Sequence, residues 1–168
     1  MIIRRVVLAA AIGGLAVAGT PSPAVAATAG AQDFTVVKIG TNTGTVVARG
    51  VITGAGAEEN NRLQEPRGAP FQVEFTFPNG KLFQTITPVG LPRVEFSPVT
   101  CVARISIFDT TQVTGGTGAY TGATGSGTAN ALLTVIRGRN ADGSCLPETA
   151  PPIFEMSYVR APGTLSIP

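Results

Sequence analysis

From about residue 30 onward the chain alternates apolar and polar positions with a period of two, and no segment carries a helical period. Short runs rich in Val, Ile, Thr and Phe are separated by Gly, Pro and Asn, the punctuation of an all-β domain. The pattern predicts strands over 33–40, 43–54, 69–78, 81–88, 93–97, 101–109, 111–115, 127–137 and 152–160, with a last extended piece over 163–167.

One hairpin has a definite signal. Asn79-Gly80 lies between two β-like runs, and both residues tolerate positive φ, so a two-residue turn is expected there. That turn sets Phe77 opposite Leu82, Phe75 opposite Gln84 and Val73 opposite Ile86. One face then carries Phe71, Val73, Phe75, Phe77, Leu82 and Ile86. The other carries Gln72, Glu74, Thr76, Thr85 and Thr87, with Phe83 as the exception. A sheet with one dry and one wet face is the wall of a barrel or sandwich. Gln84 is the polar intruder on the dry face and must find hydrogen-bond partners there. The stretch Ala55 to Gly68 interrupts the alternation with Glu58, Glu59, Asn60, Asn61, Arg62 and their neighbours, and reads as a polar surface loop. In Phe154 to Val159, the face bearing Phe154, Met156 and Tyr158 is expected to point inward. Asp109 reads as a turn cap and Arg104 as a solvated side chain.

The segment Thr114 to Thr128 is dense in glycine, but it does not read as a phosphate loop. Its spacing is not Gly-x-Gly-x-x-Gly, no Lys accompanies the last glycine, and no helix follows. A glycine-rich turn between strands, with Tyr120 packed beside it, is expected instead. The run Gly115-Gly116-Thr117-Gly118-Ala119-Tyr120-Thr121-Gly122-Ala123-Thr124-Gly125 resembles the glycine-turn signature of the allene oxide cyclase and dirigent barrels. It looks especially like that of their small secreted relatives in actinobacteria. The resemblance implies an eight-stranded antiparallel β-barrel with an apolar cavity. The family's functional residues lie in cavity strands outside this turn, so no catalytic residue is carried over.

The N-terminus has the form of a secretory signal: Arg4 and Arg5, an apolar stretch from Val6 to Ala18, then Ala24-Val25-Ala26 as a cleavage site. The expected organisation is a signal peptide over 1–26 and a single β-barrel domain over 27–168. Cleavage near Ala26 would make the protein secreted or envelope-bound. The apolar stretch is short for a membrane span of roughly 20 residues, so no integral membrane segment is expected after cleavage. Of 12 basic and 10 acidic residues, the signal removes two basic ones and leaves a neutral chain with no footprint for nucleic acid. Histidine is absent, which removes His-based triads, His acid–base pairs and His metal sites. Cys101 and Cys145, an even pair in an exported chain, are expected to form a disulfide.

No metal and no cofactor are expected. The ligand-pocket candidates are Gln84, Phe75, Met156 and Tyr158. Three readings of function stay open. The first is an exported, non-catalytic barrel that holds a small hydrophobic ligand or acts at the cell envelope. The second is a cyclase-like isomerase or stereochemical guide for an unsaturated lipid or phenolic intermediate. The third is a structural or interaction protein of the cell wall.

Overall fold

The computed structural model describes residues 27–40 and 43–168; the expected signal peptide and its cleavage site lie outside them. Nine strands form one antiparallel sheet: β1 Thr28–Ile39, β2 Thr43–Gly50, β3 Gly54–Asn60, β4 Phe71–Phe77, β5 Gly80–Pro88, β6 Arg93–Ser97, β7 Val102–Gly116, β8 Thr124–Ile136 and β9 Phe154–Ile167. The order is β5-β4-β3-β2-β1-β9-β8-β7-β6, and β5 also pairs with β7. That last pairing closes eight strands into a barrel and leaves β6 outside as an edge partner of β7. Closure removes the exposed sheet edges of those eight strands.

Several strand boundaries differ from the sequence pattern. The predicted pieces over 101–109 and 111–115 are one strand, β7, and those over 152–160 and 163–167 are one strand, β9. Thr110 continues the β7 ladder opposite Thr128, and Pro162 continues β9 opposite Asp33. The predicted strand over 43–54 stops at Gly50, where φ is +130° and a side-chain Cβ would lie 2.1 Å from the Ala31 carbonyl oxygen. The larger correction is Ala55 to Gly68. Its first half is β3, paired with both β2 and β4, and only 61–70 forms a connection, with a 3-10 turn over Arg62–Gln64.

The hairpin register is also corrected. Phe77 pairs with Gly80, Phe75 with Leu82, Val73 with Gln84 and Phe71 with Ile86, two residues away from the expected alignment. Pro78 and Asn79 are therefore the central turn residues, since a proline's fixed φ suits the first of these positions. A slip of two keeps every side chain on its face, so the dry face is as expected: Phe71, Val73, Phe75, Phe77, Leu82, Gln84 and Ile86 are all buried.

The barrel has one plugged and one open end. At the plugged end, Phe34, Phe75, Phe77 and Tyr120 form a chain of rings with centroids 4.9, 6.4 and 5.9 Å apart in succession. Such tilted and edge-on pairs each contribute about 0.5–1.5 kcal/mol beyond area burial. The Gln32 amide seals the same end by donating to the Arg49 and Ile52 carbonyls and accepting from the Ile52 N–H. The glycine turn docks here, as a turn with Tyr120 buried beside it. Thr117 N–H donates to the Lys81 carbonyl at 2.8 Å, and Ala119 N–H to the Asn79 carbonyl at 2.9 Å.

Candidate functional site

At the other end the barrel is hollow. A cavity of about 650 Å³ opens among the 61–70 connection, the end of β1 at Ile39 and Gly40, and the segment before β9. That volume falls within the roughly 300–1,000 Å³ of small-molecule sites. Its mouth carries Ile39, Leu63 and Ile153, three large apolar side chains that remain exposed. The walls are apolar for most of their depth, from Val36, Phe71, Val73 and Ile86 to Ala131 and Val159.

Alternation explains which polar groups share this space. On β1, Phe34, Val36 and Lys38 have one parity, so the face that buries the first two also brings Lys38 inward. On β3, Glu58 and Asn60 line the cavity. Lys38 Nζ lies 2.7 Å from Glu58 Oε2, and Asn60 Nδ2 donates to Glu58 Oε1 at 2.9 Å. Gly44 of β2 runs between the two partners; a Cβ there would meet Lys38 Cγ at 2.6 Å and Glu58 Oε2 at 3.1 Å. The missing side chain at position 44 is the space the ion pair occupies. On β7, Ile107, Asp109 and Thr111 face inward together. Asp109 is only 5% exposed, and its Oδ1 is sealed with no partner among the described residues. Burial pushes the Asp109 carboxyl above its ordinary value, with the Arg62 guanidinium acting in the opposite direction. Arg62 itself lies over the Phe71 ring, 4.8 Å from its centroid.

Two of the four candidate pocket residues are in this wall. Gln84 is 2% exposed and lines the cavity, and Phe75 lies beside it at the floor. Its wall position is sharpened by a bulge between Phe83 and Gln84, where β7 contributes Thr114 as an extra residue. Met156 and Tyr158 are corrected: neither lines the cavity, and Tyr158 is 44% exposed. Of the three residues expected to point inward, Phe154 does line the cavity; further along β9 the inward residues are Ser157, Val159 and Ala161, which pair with Lys38, Val36 and Phe34 of β1. Tyr158 pairs instead with Val37 and Leu132 on the outer surface, both also exposed. Small side chains face a hollow interior, so size misidentified the inner face.

Lys38, Glu58 and Asp109 are the site residues that the sequence pattern missed. The sequence pattern reads Glu58 as part of a surface loop and Asp109 as a turn cap. Lys38 and Asp109 each have the parity of apolar neighbours, Val36 and Ile107, and that parity is the signal that could have found them. Glu58 has no such signal, because β3 carries glycines at 54 and 56 where a core residue would announce the face.

Cys101 and Cys145 form the expected disulfide, with Cα atoms 5.5 Å apart. The bond ties the long β8–β9 connection to the start of β7, and that connection ends in Pro152 and Ile153 at the cavity mouth. Among the described residues there is no His/Cys/Asp/Glu cluster suited to a metal ion, and no helix is long and apolar enough to cross a membrane.

Comparison with protein-family models, with curated proteins and with solved structures returned no match.

Proposed function

We propose that this protein is an exported barrel that binds a small hydrophobic ligand in its open-ended cavity, without catalysing a reaction on it. The observation that carries the reading is the cavity of about 650 Å³ together with its exposed apolar rim of Ile39, Leu63 and Ile153. A contiguous exposed apolar surface leading into a concave apolar space marks a binding site. The disulfide is compatible with export, since such bonds persist in oxidising compartments.

The test is titration of the purified protein with an uncharged, polarity-sensitive dye such as N-phenylnaphthylamine. Saturable enhancement and blue shift of its emission, reversed by apolar competitors, is the expected result. Emission that stays as in buffer overturns the reading and leaves a structural or interaction protein of the envelope.

A second reading is favoured by one feature. The cavity holds a carboxyl group, Asp109, that burial shifts toward its neutral form, as a general acid requires. A cyclase-like isomerase of an unsaturated lipid or phenolic intermediate would use such a group, in line with the resemblance of the glycine turn. An identical product mixture with and without the protein, across both substrate classes, rules this reading out.

A further inference from the structure

The ionisable groups of the cavity are not equally partnered. Glu58 has the Lys38 ammonium 2.7 Å from one oxygen and accepts from the Asn60 amide on the other, so its charge is compensated and that cation is committed. Asp109 has neither. Its Oδ1 is sealed without a partner, and no hydrogen bond reaches its side chain from the described residues. Its inward neighbours Ile107, Ala129 and Ala131 have no side-chain donor, and Thr111 and Arg62, which do, make no hydrogen bond to it. A buried carboxyl left this way is costly unless something else supplies the hydrogen bond.

We propose that Asp109 is the polar end of the ligand site and that the ligand is an uncharged amphiphile, an aliphatic skeleton with a hydroxyl that hydrogen-bonds to Asp109. The inference rests on the reading of the cavity as a ligand site. The hydrocarbon body lies against Ile86, Ala131 and Val159. A hydroxyl fits because it both donates and accepts, so it pairs with the carboxyl whether or not Asp109 is protonated. A carboxylate head does not fit. The lining already holds three acids, Glu58, Asp109 and Glu155, against Lys38 and Arg62, and Lys38 is taken. An ammonium head would be drawn to the acid but must lose its hydration in an apolar chamber.

The experiment is displacement of bound N-phenylnaphthylamine at neutral pH by three probes of one chain length: dodecanol, dodecylamine and dodecanoate. Dodecanol is expected to compete at a concentration roughly tenfold or more below dodecanoate, and also below dodecylamine, as a hydrogen bond to a carboxyl allows. In Asp109→Leu dodecanol loses that hydrogen bond and is expected to compete roughly tenfold less well, whereas Asp109→Asn, which keeps an acceptor, retains its competition. Equal or better competition by the acid or the amine overturns the inference while the ligand site stands. So does dodecanol competition that is unchanged in Asp109→Leu. If that variant does not fold, Asp109→Ala replaces it, and the wild-type ranking already decides the head group. A protein that never takes up the dye overturns this inference and the ligand-binding reading together, while dye uptake without the alcohol preference overturns this one alone.

Discussion

Asp109 also bears on stability. Its carboxyl is pushed above the ordinary value of 3.8 mainly by burial, so the folded state binds a proton more tightly than the unfolded state does. The sign follows: the folded state is favoured in full below the ordinary carboxyl value, and the advantage is lost as pH rises through the raised one. Asp109→Asn, which cannot ionise, is therefore expected to melt at a higher temperature than the wild type at pH 7. The two should converge in acid at about pH 3, below the carboxyl's unfolded value. Thermal melts of both proteins across that range check it; a variant less stable at neutral pH would mean that Asp109 has a partner in the fold. Lys38 and Glu58 behave differently, because removing one member of a buried pair strands the other, at about 3–5 kcal/mol. What sequence could reveal at this scale was parity and not partnership. Gln84 and Phe75 were placed correctly because apolar neighbours on the same strand fixed the face. Bulk on β9 suggests that Met156 and Tyr158 point inward, and the structure puts both outside the cavity. Around a hollow interior that rule inverts, and only the pairing of β9 with β1 shows which way the strand faces.

The hairpin joining β4 to β5 shows how a turn and a remote segment determine one another. Gly80 has φ +147°, and a Cβ there would lie 2.1 Å from the Thr117 carbonyl oxygen. Its lack of a side chain lets the glycine turn pack on the hairpin, where Asn79 and Lys81 carbonyls accept from Ala119 and Thr117. Gly80→Ala is expected to cost about 2–4 kcal/mol in strain and backbone collision. Asn79→Ala should change stability by no more than about 0.5 kcal/mol, since Asn79 has no positive φ and docks through its carbonyl. Urea unfolding of the two variants separates the cases; a larger loss at Asn79 would restore the Asn-Gly turn that the sequence suggested. The turn sits one residue earlier, and the register shifts by two, because Pro78 and the docking of Gly118 compete with the local Asn-Gly preference. The docking partner is distant in sequence, so local reading could not weigh it. β3 was hidden for a related reason: Gly54, Ala55, Gly56 and Ala57 have no strand-like side chains, and pairing with β2 and β4 on either side makes the strand.

At the scale of the whole molecule the decisive property is that a closed wall surrounds unequal halves. The aromatic chain from Phe34 to Tyr120 fills one end, while Ala129, Ala131, Ser157 and Ala161 keep the other thinly lined. Eight strands enclose an interior that side chains can either fill or leave for one small ligand, so the choice lies in these small residues. An all-β wall with one dry face was legible in the alternation, whereas the hollow depends on which small residues face each other across β7, β8 and β9. Ala131 is the most direct test, because it pairs with Ile107 on one side and Val159 on the other, and all three line the cavity. Ala131→Phe would place a ring in the open volume. In a hollow barrel the added surface is buried without displacing a neighbour, and stability should hold or rise by about 0.5–2 kcal/mol. In a filled one the ring would force its neighbours apart and cost about 1–3 kcal/mol. Dye binding should fall at least tenfold in the stable variant, since ring and ligand then compete for one space. A variant that is stabilised and still binds dye at full strength would place the site elsewhere on the molecule; one that is destabilised would mean that the interior is already full.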